Sequence, residues 1–173
     1  MKKTFFLLFA MMASFFATGQ TATFKQVKHI VATGKDTEMS GVIKLEGNNY
    51  LELNYTNPEG DYFIIDGNKV KVNMNGKKNE VNTNRNARVR SQATTLMNCV
   101  TGNWQQAAAD NDTETEVVEG KGEKVITLTA RKKQSRGYSR IVLTYEQKTG
   151  NLTKLVLEEF SGIINTYTMT YVN

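Results

Sequence analysis

Apolar and polar residues alternate along much of this chain with the period of a half-buried strand. At 50–56, Leu51, Leu53 and Tyr55 fall on one side, with Glu52 and Asn54 on the other. At 69–74, Val70, Val72 and Met74 face one way, and Lys69, Lys71 and Asn73 the other. Extended runs at 41–47 and 61–65 accompany these two. Gly47-Asn48-Asn49, Asn57-Pro58-Glu59-Gly60 and Asp66-Gly67-Asn68 separate them. Asp-Gly between such runs is a strong hairpin signal, because a type I′ turn needs positive φ at both central residues. The segment 40–81 is thus predicted to be a meander of about four antiparallel strands with one apolar face.

Upstream, 24–33 mixes β-branched residues with Lys25, Lys28 and His29 and predicts an edge strand, with a short helix as the alternative, turned by Gly34-Lys35-Asp36. Downstream, a polar turn at 75–79 leads into a short strand at 80–83, followed by a basic stretch over 82–90. There the period changes. Ala93, Leu96, Met97, Val100, Trp104, Ala107 and Ala108 recur as the stripe of an amphipathic helix. Thr101-Gly102-Asn103 is predicted to split it in two, with Asn103 capping the second piece. Further strands are predicted at 114–119, 124–130, 138–145, 152–160 and 163–172. That is about ten or eleven strands with one helical insertion, which implies a mostly β, strongly curved antiparallel sheet, because sheets this wide curl or close. The helix must cover one face of it.

Composition then narrows the setting. The chain has 173 residues, a formal charge of +5, one histidine and one cysteine. Lys2 and Lys3, an apolar run at 5–16 and the small residues Ala17-Thr18-Gly19 read as a secretory leader, too short to span a bilayer. A cut after Gly19 divides the chain into a leader at 1–19 and a single domain at 20–173. That domain has 173 − 19 = 154 residues and a charge of 5 − 2 = +3. With no cysteine at the cut, the product is expected to be exported to the periplasm, soluble and without a lipid anchor. Cys99 has no partner for an internal disulfide and reads as a small buried hydrophobe on the helix.

Nothing in the chain forms a catalytic set: there is no zinc spacing, phosphate loop or nucleophile elbow. His29 stands alone. Glu158 and Glu159 are adjacent on a strand and point to opposite faces, while Glu114 and Glu116 share a solvated edge. Asp61, Asp66, Asp110 and Asp112 are turn or cap residues by position. No enzyme, metal or cofactor is expected. Basic clusters at 77–90 and 131–140 read as solvated turns, with an anionic headgroup or acidic partner as the alternative. Nucleic acid is excluded, for want of interleaved aromatics in an exported chain.

Ser40-Gly41, Leu51 to Pro58, Phe63 to Val72, Asn98 to Gly102 and Glu158 to Gly162 carry, in this order, a pattern that resembles the LolA-like periplasmic lipoprotein carriers. The similarity runs from about residue 23 to 173, and order and spacing carry it rather than any one fingerprint. The resemblance implies an incomplete, strongly curved antiparallel β-barrel closed by a short helical lid. It also implies a hydrophobic cavity for the acyl chains of lipoproteins or another lipid. Membrane partners would be an inner-membrane release complex and an outer-membrane acceptor, with the carrier a monomer. Leu45, Leu51, Leu53, Tyr55, Val70, Val72, Ile141, Leu143 and Tyr145 from strands, with Leu96, Met97, Val100 and Trp104 from the helix, are the candidate wall residues. Two features depart from the family. The 20–173 segment has little room for an amphipathic helix before the first strand. Glu52 stands where family members carry the arginine thought to latch the lid. The alternative on the same fold is a periplasmic binding or interaction module whose core is filled.

Overall fold

The computed structural model describes residues 19–171. All of the expected leader except Gly19 lies outside the described residues. The strands are β1 (Gln20–Ile30), β2 (Lys35–Glu46), β3 (Tyr50–Asn57), β4 (Glu59–Asp66), β5 (Lys69–Met74) and β6 (Lys77–Asn82). The helices α1 (Ala87–Val100) and α2 (Trp104–Asp110) follow. The chain then completes β7 (Thr113–Gly120), β8 (Glu123–Ala130), β9 (Tyr138–Glu146), β10 (Leu152–Glu159) and β11 (Ile163–Tyr171). All eleven join one antiparallel sheet in the order β6-β5-β4-β3-β2-β1-β11-β10-β9-β8-β7. Because β6 and β7 remain at opposite edges, this is an open half-barrel rather than a closed one.

The order corrects one expectation. β1 is the central strand and not an edge, paired along its length with β2 on one side and β11 on the other. Its charged residues suggested exposure, but Ala22, Phe24 and Gln26 alternate into the interior while Thr21, Thr23 and Lys25 face out. The two ends of the described chain therefore meet in the middle of the sheet, and the meander β2–β6 and the run β10–β7 extend from them as two wings. Three bounds also shift. β2 starts at Lys35 and β6 at Lys77, so the turn between β5 and β6 is only Asn75-Gly76, both with positive φ (54° and 75°). The helix begins at Ala87, inside the stretch read as a basic connection.

α1 starts where the Asn86 side chain accepts the Val89 N–H at 3.1 Å. It stops at Thr101, whose hydroxyl turns back onto the Met97 carbonyl at 2.7 Å, and at Gly102 with φ 79°. The predicted split into two helices is observed. The predicted cap is not: Asn103 makes no side-chain capping bond to α2, and its amide donates to the Thr101 hydroxyl at 3.3 Å instead.

α1 lies across the inner face. Ala93 and Met97 sit beside Ile65 and Gly67 of one wing, while Val100 reaches Leu152 of the other and Met169 of the central β11. Tyr145 ties sheet to helix by donating to the Cys99 carbonyl at 3.0 Å. Beneath α1 the core is dense: Leu51, Ile126, Leu128, Ile141, Leu143 and Cys99 are all within 1% of full burial. Burial pushes the Cys99 thiol up to about 12, which leaves it protonated and unreactive at ordinary pH.

Candidate functional site

The inner face of the sheet divides into a covered half and an open half. Under α1 the packing is tight, and two voids beside Val100 have about 10 Å³ each, enough for at most about one water. Beyond the helix, toward the β1–β2 turn, the face opens into a groove of about 600 Å³. That is the size of a ligand cleft, whose usual range is about 300–1,000 Å³.

Strand register fixes the groove's floor. Pairing across β11, β1 and β2 sets Tyr167, Gln26 and Met39 in one inward-facing rung, Asn165, Lys28 and Thr37 in the next, and Ile163, Ile30 and Lys35 in the outermost. Leu53, Tyr55 and Phe63 rise on one side, Tyr138 and Glu159 on the other, and Gln92 and Leu96 of α1 close the inner end. The floor is therefore mixed, with the polar rung of Asn165, Lys28 and Thr37 between Met39 and Tyr167 on the inner side and Ile163 and Ile30 on the outer.

At the boundary between the halves, Gly41 makes room for two aromatic rings. It pairs with Tyr55 across β2–β3 and with Phe24 across β1–β2, and Phe24 and Tyr55 pack edge-to-face at 5.2 Å. An added Cβ at Gly41 would lie 2.1 Å from the Asn54 carbonyl oxygen, so no side chain fits there. The Tyr55 hydroxyl donates to Gln26 Oε1 at 2.8 Å, and Gln26 Nε2 donates to Asn165 Oδ1 at 3.0 Å. Gln26 is buried and both its polar ends are satisfied, as a buried amide requires. Burial first, then the nearby Asp61 charge, holds the Tyr55 phenol up at about 12. Burial likewise raises Tyr167 and Tyr138 above the ordinary phenol range. The phenols and amides of the groove are thus neutral at physiological pH and suited to hydrogen bonding. Among the described residues no cluster of His, Cys, Asp and Glu could hold a metal ion.

The candidate wall residues separate. Leu53, Tyr55 and Leu96 line the groove. Leu45, Leu51 and Val100 surround the small voids under α1. Met97 borders a shallower cleft of about 120 Å³ beside Thr83 and Arg90. Val70, Ile141, Leu143 and Tyr145 are buried in the core cluster, and Val72 and Trp104 are packed against it. Glu52 lies on the outer face, where it accepts from the Tyr50 hydroxyl at 2.7 Å and the Asn54 amide at 3.1 Å. It points away from α1 and does not face the lid.

Sequence reasoning missed most of the groove. Asp61, read as a turn residue, is a buried strand residue of β4 whose carboxylate accepts the Asn75 N–H at 2.8 Å. Gln26, Met39, Asn165 and Tyr167 were not singled out. The signal was there in period two: extending Ala22-Phe24 by two residues at a time reaches Gln26, Lys28 and Ile30.

A family model described as outer membrane lipoprotein carrier protein LolA matches residues 17–173. Among solved structures, the chain is similar to a LolA superfamily protein from Nitrosomonas europaea, with 11% identity over 88% of this chain and 84% of that one, at a TM-score of 0.39. It is also similar to the lipoprotein LppX of Mycobacterium tuberculosis, with 13% identity over 89% and 88% of the two chains and a TM-score of 0.38. No curated protein sequence matches it.

Proposed function

The chain belongs to the outer membrane lipoprotein carrier protein LolA family, and from that premise we propose that it is a periplasmic carrier, a monomer of one domain at 20–173, that shields acyl chains in the open half of its inner face. The observation that carries this reading is the groove of about 600 Å³ with Met39, Leu53, Phe63 and Leu96 on its walls. Each methylene moved from water onto such walls contributes about 0.8 kcal/mol, so an acyl chain supplies ample driving force without a covalent step. The half-buried Met39 and Met74 are unbranched and adapt to chains of different length. No helix among the described residues is long and apolar enough to cross a membrane. Cargo would be taken up from one membrane and passed to an acceptor at the other.

The filled half of the core, with voids of only about 10 Å³, is the observation that favours the second reading, an interaction module on the same fold. Native mass spectrometry of protein purified from periplasm without detergent separates the two. A carrier retains lipid or acylated peptide, and Met39→Glu, at a half-buried groove position, strips it while circular dichroism stays unchanged. Protein that arrives empty and fails to take up an acylated lipoprotein peptide would leave the interaction module standing.

A further inference from the structure

The groove is not uniformly apolar, and its polar groups are unequally satisfied. Its two inner-face carboxylates are both occupied: Asp61 accepts from the Asn75 backbone and Glu159 from the Ser161 hydroxyl at 2.9 Å. The donors are not. Among the described residues Lys28 and Lys35 enter no ion pair within 4.0 Å, and the side-chain amide of Asn165 serves only as acceptor to Gln26. Register makes the two lysines diagonal neighbours on the inner face, since Lys28 faces Thr37 and Ile30 faces Lys35. Such positions lie about 7–8 Å apart, close enough for two long side chains to converge on one group. Asn165 sits beside Lys28 on the neighbouring strand. Asp36, by contrast, is on the outer face and already paired with His29 at 2.6 Å.

Depth matters as well. A methylene displaces about as much volume as one liquid water, roughly 30 Å³, so the groove holds on the order of 20 such groups. That is room for a long acyl chain with its headgroup.

We propose that the groove is a binding site for a single-chain anionic amphiphile, with its oxyanion headgroup held by Lys28, Lys35 and Asn165 and its tail laid over Gln26 and Met39 toward Leu53 and Leu96. This names the ligand class for the carrier reading above and rests on it. Lipid carboxylate and lipid phosphodiester share the required chemistry, and the headgroup charge, not the tail, sets the preference.

The test is displacement of a fluorescent fatty acid from the purified chain by palmitate, palmitoyl lysophosphatidylglycerol, uncharged monopalmitoylglycerol and glycerol 3-phosphate. A half-exposed charge pair contributes up to about fivefold, so both anionic lipids are expected to bind about tenfold more tightly than monopalmitoylglycerol. Raising salt to about 1 M should shrink that ratio. Lys28→Gln combined with Lys35→Gln should bring it within about twofold of unity while monopalmitoylglycerol affinity stays unchanged, which also reports that the variant is folded. The relative strengths of palmitate and the lysolipid tell carboxylate from phosphodiester. Equal binding of charged and uncharged lipids, or a ratio unmoved by the double substitution, overturns the headgroup assignment and leaves the carrier reading intact. Displacement by glycerol 3-phosphate as effective as by the lysolipid overturns it in favour of a small-anion site. Failure of the fluorescent fatty acid and of every lipid to bind overturns both.

Discussion

Two halves of one inner face, built by the same strands, behave as different materials. Where α1 crosses, Leu51, Leu143 and Met169 join Met97, Cys99 and Val100 in one buried cluster, and two voids beside Val100 have about 10 Å³ each. A few residues further along β1, β2 and β11, no helix among the described residues covers the sheet and about 600 Å³ stays open. Strand composition alone does not create the difference, because β1 runs Ala22, Phe24, Gln26, Lys28 and Ile30 from one half to the other without a break. What differs is the partner. α1 brings a stripe of apolar side chains to one half only, and beyond its reach the sheet presents the polar rung of Asn165, Lys28 and Thr37 before Ile163 and Ile30. Close packing is thus concentrated under the helix and open volume beyond it.

The sharpest way to break that division is to cut into the filled half. Leu143 is fully buried in the core cluster, and Leu143→Ala leaves a cavity that its neighbours fill only in part. A loss of about 2–5 kcal/mol is expected in urea unfolding. Amphiphile uptake per folded molecule should not change, because Leu143 does not line the groove. A drop in affinity at constant folded fraction would show that the halves are coupled.

The boundary should respond to a smaller degree. Tyr55→Phe keeps the ring over Phe24 but leaves Gln26 Oε1 buried without its donor, at a cost of about 1–3 kcal/mol. The same residue predicts a pH response. Its phenol is held at about 12 in the folded chain against 10.0 in the unfolded one, chiefly by burial. Stability from keeping it neutral is complete below about pH 10 and is lost as pH rises from 10 toward 12. The variant should lose stability less steeply across that window, read as the slope of unfolding free energy against pH. Equal slopes would place the alkaline sensitivity on the other buried tyrosines alone.

How much of this was legible in the chain follows from what period-two patterns encode. Alternation in 50–56 and 69–74 located β3 and β5 and the face they bury, and the change of period at Ala93 located the helix. Strand order is a different kind of information. β1 looked like an edge because Lys25, Lys28 and His29 crowd its end, yet it pairs on both sides, and no local pattern records which strands lie beside it. The site was hidden for a related reason. Periodicity assigns Leu51, Leu53 and Leu143 to the same inner face but does not say where α1 lies on that face, so groove and core residues read alike. Gln26 and Asp61 were lost to the habit of reading polar residues as solvated. Each is buried with its hydrogen bonds supplied by other strands or a turn: Gln26 by Tyr55 of β3 and Asn165 of β11, Asp61 by the Asn75 backbone.

The smallest stability effect belongs to the open half and tests the division from the other side. Met39 is half-buried and borders space that is already empty, so Met39→Ala removes contacts without opening a new enclosed cavity. The penalty for truncating a core side chain depends on how far the site can collapse or admit water, and here the site already opens to solvent. A loss within about 1 kcal/mol is therefore expected, against the several expected for Leu143→Ala. The binding effect should run the opposite way: Met39 lies on the rung with Gln26 and Tyr167, where a tail must pass, so acyl affinity falls while the preference for a charged headgroup persists. If Met39→Ala instead destabilised the fold as much as Leu143→Ala, the groove would have to close in solution. The distinction between a packed half and a binding half would then fail.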